Sequence, residues 1–90
     1  MKVLCQIYAS PRKEEMYLFV EKTRGLADVP EALLTRFGEP REVMTLVLEP
    51  GRKLARADAS EVLERIAEQG FYLQMPPTAE ELLRRDKGDG

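Results

Sequence analysis

From Lys2 to Ala9 the chain alternates: Val3, Cys5 and Ile7 fall on one side, Leu4, Gln6 and Tyr8 on the other. A period of two sends successive side chains to opposite faces, so this segment predicts a strand. The polar run Ser10-Pro11-Arg12-Lys13-Glu14-Glu15 predicts a turn or short loop. A second strand follows over Met16 to Glu21, with Met16, Leu18 and Val20 on one face and Tyr17 and Phe19 on the other. Strands joined so closely pair antiparallel as a rule. Apolar and aromatic groups on both faces imply a sheet covered on more than one side. Val43 to Leu48 is a nearly unbroken apolar run and predicts a central or near-central buried strand. Glu49-Pro50-Gly51-Arg52 has the proline-glycine order of a type II turn. Lys53 to Ala57 reads as a short edge strand, an irregular connector or a turn of 3₁₀ helix, and Phe71 to Met75 as the last strand, ended by Pro76-Pro77.

Three helix starts share one spacing: Asp28 with Glu31, Asp58 with Glu61 and Thr78 with Glu81. Each pair fits a capping box, in which the two side chains satisfy each other's backbone amides. The first helix, with Pro30 in its first turn, buries Leu33, Leu34 and Phe37 and stops at Gly38 before Pro40. The second carries Val62, Leu63, Ile66 and Ala67 on one stripe and stops at Gly70. The third is short and anchored by Leu82 and Leu83. The order is β-β-α-β-(β)-α-β-α: an α/β fold of α+β type, with a small, largely antiparallel sheet packed by two main helices and a short C-terminal helix. Residues 1–85 form one domain and 86–90 a disordered tail.

Composition narrows the chemistry. The chain has 90 residues, 43% hydrophobic and 33% charged, an ordinary globular balance. Fourteen Lys and Arg against sixteen Asp and Glu give a net charge of -2, unlike a dedicated duplex-DNA binder. Histidine is absent, which removes the usual base near neutral pH and the commonest transition-metal ligand. The single cysteine, Cys5, cannot form an intrachain disulfide, and its place in an alternating strand marks it as a small core hydrophobe rather than a nucleophile. The apolar run of six residues at Val43–Leu48 falls far short of the roughly 20 needed to span a membrane. Together with the early polar turn at the N-terminus, this predicts a cytoplasmic chain.

No site motif gathers. The carboxylates are spread along the chain as caps and polar helix faces, with no calcium-loop pattern. The glycines stand at element ends, and neither a dinucleotide fingerprint nor a Walker A loop occurs. No cofactor and no catalytic or metal-binding residue is assigned. The one candidate binding surface combines Arg52, Lys53 and Arg56, three cations within seven residues, with the strand tyrosines Tyr8 and Tyr72. Cations beside rings suit single-stranded nucleic acid, because phosphates seek charge and bases stack. The competing reading gives the rings to the core and the cations to solubility. Tyr72 through Pro77 also offers a stiff extended segment for a peptide or protein partner, or simply steers the chain into its last helix.

Tyr17-Leu18-Phe19-Val20-Glu21-Lys22, Phe37-Gly38-Glu39-Pro40 and Gln69-Gly70-Phe71-Tyr72-Leu73-Gln74-Met75-Pro76-Pro77 resemble the landmarks of the YcgL-domain family of small bacterial proteins. Cys5-Gln6-Ile7-Tyr8 and the Ala57-Asp58 step are similar to it as well, with a longer lead-in before the cysteine. The resemblance runs from Val3 to Leu83. It implies a compact α/β fold with helices around a largely antiparallel sheet, and it brings no enzyme assignment. The leading expectation is therefore a noncatalytic cytoplasmic binding or accessory domain with an unknown protein partner. The alternatives are an RNA-associated accessory protein that binds weakly through the basic segment, and a small enzyme using carboxylates or lysine.

Overall fold

A computed structural model of the chain describes residues 2–54 and 56–88. Its elements are β1 (Val3–Ala9), β2 (Tyr17–Glu21), α1 (Glu31–Phe37), β3 (Arg41–Leu48), α2 (Ala59–Gln69), β4 (Phe71–Gln74) and α3 (Ala79–Gly88). The order is the one predicted. The optional strand at Lys53 to Ala57 reduces to a single bridge between Lys53 and Asp58 among the described residues. The tail expected at 86–90 overlaps the end of α3, and residues 89–90 lie outside the described ones.

All strand pairs are antiparallel, in the spatial order β3-β1-β2-β4. The β1–β2 hairpin is thus the centre of the sheet. Its loop is tied by Ser10, whose N–H donates to Met16 O at 3.0 Å. The Ser10 hydroxyl donates to Phe37 O at 2.5 Å and accepts from the amides of Arg12 and Lys13. A carbonyl at the end of α1, without a partner inside the helix, is thereby satisfied.

β3 corrects the expectation of a central strand: it is an edge. Only Leu46 and Leu48 of its eight residues are buried. An apolar run signals burial but not position in a sheet, because strand order depends on pairings distant in sequence. Ile7 opposes Met44 while Tyr8 opposes Glu42, so Val43 is the extra residue of a bulge. The buried Gln6 amide sits beside it, donating to Met44 O at 3.0 Å and accepting from the Thr45 hydroxyl at 2.8 Å.

The two faces carry separate cores. Cys5, Ile7, Phe19, Leu46 and Leu48 pack under Ala59, Val62, Leu63 and Ile66 of α2. Met16, Leu18 and Val20 pack with Val29 and Phe37, the latter fully buried at the end of α1, with Leu33 and Leu34 half-buried beside it. Ala67, expected on the buried stripe of α2, is exposed at its border. Leu82 and Leu83, expected to anchor α3, are also exposed.

The three capping signals resolve differently. Thr78 and Glu81 form a full reciprocal box at 2.9 and 3.1 Å. Asp58 caps α2 through the amide of Ser60 at 3.2 Å. Asp28 does not cap α1, whose N-cap is Pro30; its carboxylate binds the Arg24 guanidinium, with Nη2–Oδ1 at 2.8 Å. The i,i+4 arginine outcompetes the backbone amides for the same oxygens. The turn after β3 closes through Arg52 N–H to Glu49 O at 2.9 Å, but Gly51 lacks the positive φ that a type II turn requires.

Candidate interaction surface

The sequence-predicted surface is divided by the fold. Tyr8 opposes Leu18 and Tyr72 opposes Phe19. Leu18 and Phe19 are consecutive, so the two tyrosines lie on opposite faces of the sheet. Tyr8 packs at the margin of the α1-side core. Tyr72 packs on the α2 side, edge-on to the Phe19 ring at 5.7 Å between centroids. Burial raises the pKa of both phenols, helped by Glu42 at Tyr8 and by Glu61 at Tyr72.

The cations separate too. Arg56 reaches the end of β4, where Nη1 donates to Met75 O at 2.9 Å and Nη2 meets Glu81 at 3.3 Å. The capping bond from the Thr78 amide and this guanidinium together hold the Glu81 carboxyl below its ordinary range. Arg52 sits at the opposite edge of the sheet, where it donates to Val47 O of β3 at 3.3 Å. Lys53 is exposed next to it. Arg52 and Lys53 thus stay neighbours at the β3 end, and Arg56 serves the β4 end.

Cys5 is fully buried, opposite Glu21 on β2. Burial, with the nearby Glu21 carboxylate adding to it, pushes the thiol up to about 11. At neutral pH it is a protonated core group. Among the described residues, no group of three or more His, Cys, Asp or Glu side chains is arranged to hold a metal ion. Also among them, no helix is long and apolar enough to cross a membrane. An open cleft of about 460 Å³ runs along one end of α2, lined by Glu21, Arg24, Asp28, Leu63, Ile66 and Gly70. Its most prominent charges, Arg24 and Asp28, satisfy each other.

The surface that sequence reasoning missed is β3 itself. Val43, Met44 and Val47 on this strand and Leu4 on its neighbour are each more than two-fifths exposed. Val43 and Met44 line a shallow, largely apolar concavity of about 300 Å³ on the α2 face together with Ile7, Phe19, Leu46 and Leu54, whereas Val47, opposite Leu4, stands on the other face. The signal was present in the sequence as an apolar run without polar alternation. Its natural interpretation was burial within the chain.

The YcgL domain model matches residues 5–77. A YcgL domain-containing protein of Chromohalobacter salexigens is 60% identical over 80 residues, covering 89% of this chain and 83% of the relative. One from Pseudomonas aeruginosa is 57% identical over 83 residues, covering 92% and 86%. One from Pseudomonas putida is 54% identical over 94 aligned positions, covering 96% and 97%. Both the family match and the near full-length identities place this chain in the YcgL domain family.

Proposed function

We propose that this chain is a noncatalytic protein-binding domain of the bacterial cytoplasm, acting through the β3 side of its sheet. The observation that carries the reading is that three large apolar side chains of the edge strand β3, Val43, Met44 and Val47, stand exposed, with Val43 and Met44 lining a shallow apolar concavity on the α2 face. Exposed apolar side chains grouped about one concavity on a small domain mark a contact surface more often than singly scattered ones do. The buried, protonated Cys5 and the mutually satisfied Arg24–Asp28 pair support a noncatalytic role.

Affinity purification from native extract tests this, comparing the wild-type chain with a Met44→Lys/Val47→Lys variant and a Leu82→Lys/Leu83→Lys control. Loss of bound protein in the β3 variant alone is the expected result. Loss only in the α3 control would move the surface and overturn the reading. Recovery of RNA instead, abolished by Arg52→Ala/Lys53→Ala, would turn the function toward phosphate contact, with the loss similar across sequences.

A further inference from the structure

Two hollows follow one another along the α2 face of the sheet, and the half-buried Tyr17 side chain lines both. The first is the apolar concavity of Val43 and Met44. The second, of about 430 Å³, lies at the hairpin end, lined by Ala9, the loop from Ser10 to Met16, and Arg41. Ala9 opposes Tyr17 on β2 and Arg41 on β3, so its methyl group stands between a ring and a guanidinium on one face. That difference in side-chain length makes the hollow. Ile7 and Ala9 on β1, like Phe19 and Tyr17 on β2, are two residues apart, which sets the hollows about 7 Å from each other along the strands.

Charge distinguishes the two. The second hollow holds Arg12, Lys13 and Arg41 against Glu14 and Glu15, three cations to two carboxylates. Among the described residues none of the three cations forms an ion pair, and all three are exposed. The loop that presents two of them is tied down: the amides of Arg12 and Lys13 donate to the Ser10 hydroxyl at 3.1 and 3.2 Å. The Arg12 stem lies against Gly38, where a Cβ would stand 3.0 Å from its Cγ. Unpaired cations next to an apolar hollow select a ligand that carries an anion beside an apolar group.

We propose that the protein partner of this chain docks through an acidic–apolar segment. One large apolar side chain of that segment enters the hollow of Val43 and Met44, and a carboxylate two residues away lies among Arg12, Lys13 and Arg41. Alternate side chains of an extended peptide are about 7 Å apart, the same spacing as the hollows. The first hollow is lined mainly by the aliphatic groups of Ile7, Val43, Met44, Leu46 and Leu54, which suit an apolar side chain better than a stacked base. The inference rests on the β3 protein-binding reading and names the chemistry of the partner.

Selection from a phage-displayed library of random peptides against the full chain tests it. The enriched peptides should carry Asp or Glu two residues from a large apolar residue. A synthetic copy of one should shift the amides of Ala9, Lys13, Tyr17, Arg41 and Met44, and should bind more weakly as salt rises. Lys13→Glu/Arg41→Glu should weaken it by about tenfold or more, and a peptide with its acid replaced by lysine should bind this variant better than it binds the wild-type chain. That exchange of preference shows that the variant is folded. Enrichment of apolar peptides without an acid, or no enrichment, overturns the acidic–apolar partner and leaves the protein-binding reading to the extract experiment. Shifts confined to α3 overturn both. Shifts at Arg12, Lys13 and Arg41 from single-stranded oligouridylate, with none from the peptide, overturn it as well and assign the cations to phosphate.

Discussion

β3 and β4 are the two outer strands of one sheet, and their open sides are finished differently. β4 has four residues, all half-buried, and leads within two residues to Pro76-Pro77. Arg56 occupies the next carbonyl, on Met75, and the Thr78–Glu81 box starts α3 close behind. Short length, proline and a charged side chain are the usual means of blocking further strand addition. β3 has eight residues with an uncharged centre, guarded by one bulge and one long arginine contact. The difference teaches that an edge is closed by inexpensive local chemistry when closure is all the fold requires. Val43, Met44 and Val47 give little burial to the core, and their place on the more open edge is what the binding proposal uses.

The largest effect should appear within β3 itself. Leu48→Ala removes a fully buried side chain and should destabilise by about 2–5 kcal/mol. Val47→Ala, one residue away, should stay within about 0.5 kcal/mol in urea unfolding. Equal losses would mean that both faces of β3 are load-sharing core, and the contrast between the edges would collapse.

Cys5 sharpens the picture of the sheet centre that both edges flank. Its folded pKa, about 11, lies above the ordinary 9.0, so the folded state holds its proton where the unfolded state has lost it. The stability this gives is complete below pH 9 and is lost as pH climbs from 9 to 11, of the order of 2–3 kcal/mol. The raised phenols of Tyr8 and Tyr72 add loss of the same sign above pH 10. Cys5→Ala should flatten the first part of that decline in pH-dependent thermal melts. Native chain at pH 7.5 should react with a thiol reagent only slowly.

Gly70 tests the entry to β4. It ends α2 with φ +93°, and a Cβ there would collide with the Asp28 side chain. Gly70→Ala should therefore cost about 1–3 kcal/mol, from the left-handed backbone and the overlap combined. A neutral result in chemical unfolding would show that the α2–β4 corner can relax.

Arg56→Ala should have the smallest effect on global stability, under about 1 kcal/mol, because its partners lie in or near solvent. Its local effect is the informative one: amides around Met75 and Thr78 should exchange faster, opening the β4 end. Glu81 is held below its ordinary pKa of 4.5, so its contribution is present above that pH and lost as pH falls through the lower folded value. Arg56→Ala should shrink the acid-side change in α3 helicity, and Thr78→Ala should weaken the helix start at every pH by about 0.5–2 kcal/mol.

Patterns within a few residues of each other were legible in the sequence. Alternation in Val3 to Ala9 and in Tyr17 to Glu21 placed the hairpin and assigned its faces, because side-chain direction in a strand is a local geometric fact. Gly38 and Gly70 marked helix ends through backbone freedom that belongs to the residue alone. Thr78 with Glu81 specified its own cap, since both partners lie within one turn. What only the tertiary structure decided involves choices among distant or competing partners. Asp28 could serve the amides of α1 or the guanidinium of Arg24, and the second won. Arg52 and Arg56 are four residues apart, yet they attend opposite edges of the sheet. The run Val43 to Leu48 specified a strand, but its position at an edge followed from β4 pairing with β2 rather than with β3. Local sterics and hydrogen bonding form elements from neighbours in the chain, whereas strand order is set by which long-range pairings bury the most surface together, and no single segment carries that information.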